Sequence, residues 1–262
     1  VSILKLSGVG PEDELDNFDI PVVKDIPGVG TNPQDRYELG VIARTRDNFA
    51  LIEDCTFLAE GISLGMFMLM LSSQAEGQYD GYYPGYSRNV LNATSNIHWT
   101  WLVLKAHTRN NAGIVNLTNV NPRNMPKIAF HNFSEGAASQ ADAGKDIQAI
   151  IEGMQWGMKA IDDIPPVVGE FERVWPPSEI NSDEDLMQWI QDESWGHHAS
   201  SSCPIGSDND PMAVLDSSFR LRGISCRRVV DMSAFPKIMG VFPVISLSMA
   251  SEKAAYSILQ SK

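Results

Sequence analysis

Six residues, Ile147, Ile150, Ile151, Met154, Met158 and Ile161, recur at spacings of three and four within ADAGKDIQAIIEGMQWGMKAIDDI. That period places them on one face of a long helix, and an apolar face of this length has to be buried against another element. The residues that could cover it are β-like. YELGVIARTRD alternates in the manner of a strand, HWTWLVLKAHT and AGIVNLTNV are β-branched runs flanked by Asn and Gly, and NPRNMPKIAFHNF pairs a Pro-rich turn with a further strand. A second helix is expected at SDEDLMQWIQDES, where Ser182 with Asp185 three residues on resembles a capping box. RRVVDMS reads as a short buried strand and VISLSMASEKAAYSILQ as a closing amphipathic helix.

Toward the N-terminus the signals are shorter. The first ten residues read as the end of a helix entering a Gly/Pro loop, IPVVKD as a short apolar strand, and residues 72–96, with QYDGYYPGYSRN, as a long loop. No internal repeat is visible. The fold class expected is α+β with α/β character: a mostly antiparallel sheet flanked by helices in the middle of the chain, and ends that belong to a different domain. A chain of 262 residues, 43% hydrophobic, has room for those two modest cores.

Several function classes fall away. A net charge of −13 argues against a nucleic-acid backbone as partner, which needs clustered Lys and Arg. No apolar run reaches the roughly 18 residues of a membrane-spanning helix, and GISLGMFMLMLSS reads as core. Cys55, Cys203 and Cys226 do not make a disulfide framework. Three Asn-x-Ser/Thr sites, at Asn92, Asn116 and Asn132, stand only slightly above what composition gives by chance, so the compartment stays unknown, with a faint pointer to secretion. The chain opens VSILKLSGVGP, inside an apolar element, without Met or the layout of a signal peptide. It reads as a fragment, or as one chain of a processed protein.

Of five histidines, two are adjacent, in SWGHHASSSCPIG. Ala199 and Ser200 to Ser202 are small and leave open space around an imidazole, a group suited to taking a proton from an alcohol near neutral pH. No metal site is expected: adjacent histidines point in different directions, and no H-x-H, H-x-x-x-H or H-E-x-x-H pattern supplies partners. GVGPEDEL and GVGTNPQD hold G-x-G but lack the third Gly and the helix start of a dinucleotide fingerprint, so they read as turns.

Several blocks, in order, resemble the glucose–methanol–choline (GMC) family of flavin oxidoreductases. SILKLSGVGP resembles that family's second signature, and IPVVKDIPGVGTNPQDRYE the segment that usually ends Asn-Leu-Gln-Asp-His. AGIVNLTNVNPRNMPKI resembles the substrate-domain strand pair, with Asn121-Pro122 at the turn. HHASSSCPIG, DPMAVLDSSFRLRGISCRRVVDMSAFPKI and MASEKAAYSIL resemble the C-terminal active-site block and closing helix. The resemblance implies residues 1–38 and 191–262 as parts of an FAD-binding domain and 39–190 as the substrate-binding domain. It implies His198 as catalytic base beside the flavin, with hydride leaving an alcohol-type small molecule for the flavin N5. His197, Phe242 and Val244 would wall the site, and Asp231, Met232 and Pro243 would approach the FAD. Asp231 has a second reading, as the cap of a turn.

Two departures qualify what the resemblance implies. The family's Gly-rich dinucleotide-binding turn is absent, so a missing N-terminal segment or a partner chain is expected to supply the main FAD site; residues 60–77 are also short against the family. The family's second His or Asn, about 44 residues after the base, falls here on Phe242. Asn96, His98 and Ser246 are the replacement donors the sequence offers. Two alternatives to alcohol oxidation follow: a non-redox relative, a cyclase or lyase that keeps flavin for structure, or an inactive fragment.

Overall fold

The computed structural model describes residues 1–46, 98–135, 140–167, 169–240 and 242–260. The expectations for GISLGMFMLMLSS, for the loop at 72–96, for the short stretch 60–77 and for Asn92 and Asn96 lie outside the described residues. The chain divides into two compact units: a sheet unit, Glu38–Leu104 with Ile147–Trp195, and an end unit, Val1–Tyr37 with Lys105–Asp146 and Gly196–Lys262. Residues Lys105–Asp146, read from sequence as part of a middle segment running 39–190, are grouped with the chain ends.

The sheet unit is built on three antiparallel strands, β3 (Glu38–Thr45), β4 (His98–Leu104) and β7 (Phe171–Trp175), with β3 in the middle. Leu39, Val41, Ile42 and Ala43 of β3 are all buried, so the alternation expected of YELGVIARTRD gives way to a strand covered on both faces. The long helix α3 (Gln140–Asp162) forms as expected, with Ile147, Ile150, Ile151, Met154, Met158 and Ile161 all buried. Its position on the sheet depends on Gly153 and Gly157, four apart and so on one face. A Cβ on Gly153 would stand 2.7 Å from a methyl of Val103, and one on Gly157 3.2 Å from a methyl of Val41. Helix α4 (Asp183–Glu193) starts as the sequence indicates: the Ser182 hydroxyl oxygen accepts the Asp185 amide at 3.1 Å, and Leu186 and Ile190 are buried. Strand β7 was not foreseen, although Gly169 and Pro176 bracket FERVW as punctuation would.

Among the described residues, the end unit has no sheet of more than two strands. It holds helices α1 (Ser2–Leu6) and α2 (Glu12–Asp16), a two-residue parallel pair of β1 (Val9–Gly10) and β2 (Lys24–Asp25), a hairpin of β5 (Ile114–Asn116) and β6 (Lys127–Ala129), a 3-10 turn at Met232–Ala234 and helix α5 (Pro243–Gln260). The apolar strand expected at IPVVKD shrinks to Lys24–Asp25, with Val22 and Val23 exposed between two prolines that cannot donate to a ladder. RRVVDMS is not a strand. Asp231 there accepts the Ser233 amide at 2.8 Å and turns the chain into the 3-10 turn.

The hairpin is joined to the N-terminal part of the chain by an apolar cluster of Leu117 with Leu15 and Ile20, and by a set of polar bonds. Lys5, 1% exposed, donates to Glu14 and to the Val115 carbonyl (2.7 Å), while the other Glu14 oxygen accepts the Leu117 amide (2.7 Å). The Val115 amide meets the Gly30 carbonyl at 2.7 Å, and the Asn32 amide meets that of Gly113 at 2.9 Å. Gly30 has φ +81°, and a Cβ there would lie 2.6 Å from the Val115 carbonyl, so this crossing needs glycine. The apolar core beside it gathers Val9, Ile26, Val29, Cys203, Val214, Leu215, Phe219, Leu221, Ala234 and Ala254. Both units are mixed α/β with antiparallel pairing, the fold class read from the sequence.

Candidate active site

Three backbone strips of the end unit run side by side. Ser200 exchanges amide–carbonyl bonds with Gln34 in both directions (2.9 and 3.1 Å), and the Gly30 amide meets the Ser202 carbonyl at 2.8 Å. On the other side the amides of Ser201, Cys203 and Ile205 donate to the carbonyls of Met232, Ser233 and Ala234 (3.1, 2.9 and 2.9 Å). The segment after the histidine pair is thus bonded on both flanks. Its small residues serve that fit: Ser200 and Ser201 are buried, their hydroxyls 3.0 Å apart, and Ser201 takes φ +69°. Ser200 and Ser201 close-pack backbone; they do not leave the open space around an imidazole that the sequence suggested.

The side chains of Gln34, Asp35 and Arg36 then address three different parts of the site. Gln34 Oε1 accepts the Ile238 amide (2.8 Å), which fixes the chain leading to Phe242. Asp35 Oδ1 accepts the amides of Arg36 (2.7 Å) and His198 (2.9 Å). The guanidinium carbon of Arg36, itself buried, stands 5.2 Å from the centroid of the Phe242 ring. His107 adds a brace, its Nδ1 3.2 Å from the Ile238 carbonyl and its ring against Gly240, where a Cβ would lie 2.4 Å from Nε2.

His198 is 7% exposed, and its ring meets that of Phe242 edge-on with centroids 5.6 Å apart. Phe242 therefore does sit beside the histidine 44 residues before it. His197 is exposed but lies close, its ring centroid 4.0 Å from that of His198 at an interplanar angle of 45°. The expectation that adjacent histidines diverge is corrected here: the chain is pinned by Asp35 directly at the His198 amide, and the two rings lie against each other. Burial, then His197 and Arg36, push the His198 pKa down to about 4. His197 is lowered too, chiefly because part of its ring loses water against the neighbouring residues although its outer edge is exposed, and against the pull of Asp35. Burial raises Asp35, while the amides of Arg36 and His198 act the other way. At neutral pH the pair is two unprotonated imidazoles, each able to accept a proton.

The remaining expected residues divide. Met232 is tied to the histidine segment through its carbonyl. Asp231 is exposed and caps the 3-10 turn, the second of its two sequence readings, which leaves its other oxygen outward. Pro243 is buried at the first position of α5, and Val244 beside it is 70% exposed. Among the donors considered opposite Phe242, Ser246 lies in the first turn of α5 and His98 is a β4 residue. Sequence reasoning assigned no role to Gln34, Asp35 or Arg36. The signal was present, since NPQDRYE carries Arg36 where the resemblance has His.

A family model described as GMC oxidoreductase matches residues 109–251. Oxygen-dependent choline dehydrogenase of Photobacterium profundum is 28% identical over 277 residues, covering 98% of this chain and 47% of that protein. Versicolorin B synthase of Emericella nidulans is 25% identical over 284 residues, covering 98% of this chain and 44% of the relative. Among solved structures, an FAD-dependent oxidoreductase from Chaetomium thermophilum superposes with a TM-score of 0.66 at 19% identity, covering 97% of this chain and 52% of that one, a likeness of fold. The chain spans about half the length of the relatives it matches. With the family model covering more than half of its residues, the chain belongs to the GMC oxidoreductase family.

Proposed function

We propose that this chain is the C-terminal portion of an FAD-dependent oxidoreductase acting on CH–OH groups, with His198 as the base that takes the hydroxyl proton. The observation that carries the reading is the state of His198: buried, held by its own amide on Asp35, and unprotonated at neutral pH. A base has to be neutral when the alcohol arrives, and its position has to be fixed before the proton moves. Bound flavin supplies the acceptor for the hydride that leaves the same carbon. His197, 4.0 Å away, shares the burden of keeping His198 neutral and walls the site with Phe242.

The residues present suit a flavin in part. Pro243 opens α5 without an N–H to lose, and the first amides of a helix have no intrahelical acceptor, so they can meet a carbonyl edge. The outward oxygen of Asp231 can accept from a ribityl hydroxyl while the other holds its cap. Met232 would support that contact through the strip it shares with Ser201. A phosphate cradle is not among these groups, in keeping with the absent Gly-rich turn. Helix α5 buries Ala254 but leaves Val244, Ile245, Met249, Tyr256 and Leu259 mostly exposed. We assign that face to the remainder of the flavin domain, supplied by a preceding segment or a partner chain.

Phe242 favours one competing reading. A phenyl ring gives no hydrogen bond to an oxygen that is losing its proton, which suits a cyclase or lyase that keeps flavin for structure. Rapid mixing of the intact flavoprotein with a panel of primary alcohols separates the two. Reduction of the flavin at a catalytic rate by any of them supports oxidation. A flavin that stays oxidised throughout, in a protein that still converts its substrate by proton transfer, would replace oxidation with the non-redox reading.

A further inference from the structure

The two sides of the site come from distant parts of the chain: Asp35 and His198 form the base side, and the stretch from Ile238 carries the Phe242 ring. KAHTR, Lys105 to Arg109, touches both. Thr108 Oγ1 donates to the Asp35 carbonyl at 3.2 Å, and Asp35 Oδ1 accepts the His198 amide at 2.9 Å. His107 Nδ1 lies 3.2 Å from the Ile238 carbonyl, and a carbonyl only accepts, so Nδ1 carries the proton. The same ring lies on Gly240, where a Cβ would come within 2.4 Å of Nε2.

These contacts close a ring. Gln34 and Asp35 are consecutive, as are His107 and Thr108, and consecutive Cα atoms stand about 3.8 Å apart. Gln34 Oε1 holds the Ile238 amide and His107 the Ile238 carbonyl, so both polar backbone groups of Ile238 are fixed. KAHTR is itself anchored. Asp146, 1% exposed, accepts the Arg109 amide at 2.8 Å and the Arg109 guanidinium, and pairs with Lys105 at 3.4 Å. A buried carboxylate is costly to separate from its cations, so this anchor resists displacement. We propose that His107 and Thr108 are positioning residues that together set the place of Phe242 against His198, and so the alignment of the base, without touching the substrate. This rests on the reading of His198 as the base and adds no chemical step to it. His107 is exposed, so its loss should move the rate more than the stability.

The intact flavoprotein offers two readouts. One is the limiting rate of flavin reduction by the best alcohol of the panel. The other is the NMR position of the His198 Cε1–H, which feels the ring current of Phe242 and needs no turnover. It is recorded well above the His198 pKa of about 4, so protonation does not move it. His107→Phe keeps a ring and removes the donor, while His107→Asn keeps a donor; Thr108→Val removes the hydroxyl and Thr108→Ser keeps it. Phe and Val should each shift the His198 signal and slow reduction by about tenfold, short of the 10² that a displacement of about 1 Å can cost. Asn and Ser should restore most of both. Gly240→Ala should drive the His107 ring away and shift the signal as well, yet add little to His107→Ala, where the ring it strikes is gone. The proposal is overturned if either Phe or Val leaves the signal in place or reduction within about twofold of wild type, or if Asn and Ser lose as much as Phe and Val. If His107→Phe does not fold, the Thr108 pair decides. If no alcohol reduces the wild-type flavin, the oxidation reading fails, and the His198 signal alone decides whether His107 and Thr108 position the base.

Discussion

The two units hold themselves together by different means. In the sheet unit, β3 is buried on both faces and α3 lies across the strands through Gly153 and Gly157, with six apolar residues at helical period behind them. Its order comes from area removed from water, which is non-directional and tolerant of detail. In the end unit the histidine segment is a strip without regular structure, its backbone bonded to Gly30 and Gln34 on one side and to 232–234 on the other. Individual side chains, Gln34 at Ile238 and Asp35 at His198, set positions there. Hydrogen-bonded strips fix atoms to tenths of an ångström where an apolar face only fixes an element, and a catalytic base needs the former. A change in the sheet unit should therefore cost stability and spare the chemistry, and a change in the strips should do the reverse.

The largest effect expected is on chemistry. His198→Ala should slow flavin reduction by roughly two to four decades, the scale of a lost general base, while the melting temperature moves little. A variant with near-normal turnover would take His198 out of the mechanism. The counterpart in the sheet unit is Met154→Ala. Met154 is fully buried, and the cavity should cost about 2–5 kcal/mol in denaturant unfolding. Reduction rates measured well below the unfolding transition should stay within about twofold of wild type; a drop of decades would mean that the units do not divide the work as argued.

Asp35 tests the strips directly. Asp35→Ala removes the acceptor that holds the His198 amide, and displacement of a base by about 1 Å can cost on the order of 10² in rate. Asp35→Asn keeps a carbonyl oxygen in place and should recover most of that loss. Equal damage from both would point to the charge of Asp35 and not to its bond.

The pH dependence of folding has a definite sign. His198 has a lowered pKa, about 4, in the folded chain, so between that value and the ordinary histidine range the unfolded chain binds more protons. Stability is then complete above pH about 6.5 and declines as the pH falls toward 4. Asp35 is raised and acts in the opposite sense just above the usual carboxylate range, flattening the lower end of the decline. Urea unfolding of wild type and His198→Gln across this window measures the difference. A decline that is unchanged in the variant would show that other groups carry it.

What the sequence made legible follows the same division. Helical period located α3 and α4 with their buried faces, and the β-branched runs located β4, β5 and β6, because apolar burial writes its period into the chain. RRVVDMS failed as a strand because its backbone makes only an isolated bridge to residues 219–221 before Asp231 caps the 3-10 turn, local hydrogen bonds that carry no period. His198 and Phe242 were singled out through the resemblance, Phe242 by the offset at which the family usually has its second His or Asn, and the structure brings their rings together. Gln34, Asp35 and Arg36 went unassigned because their roles depend on contacts more than 160 residues away in the chain, with only the Arg36 substitution to mark them.

The smallest effects compare two caps, one in each unit. Ser182 accepts the Asp185 amide at the start of α4, and Asp231 accepts the Ser233 amide at the 3-10 turn. Removing either acceptor with Ala should cost about 1 kcal/mol of stability, the usual worth of such a cap. Ser182→Ala should end there, since the contacts of α4, with Leu186 and Ile190 buried and Trp189 edge-on to Trp175, serve only the packing of the sheet unit. Asp231 is proposed to do more, giving its outward oxygen to FAD, and Asp231→Ser separates the two roles. Serine keeps a capping oxygen two residues before the same amide, so stability should stay within a few tenths of a kcal/mol of wild type. It removes the carboxylate, so FAD should dissociate more readily from the intact protein, by about tenfold for one charge-assisted hydrogen bond. If Asp231→Ser retains both its stability and its FAD affinity, Asp231 is a cap and nothing more, and the end unit meets the cofactor through the amides of α5 alone.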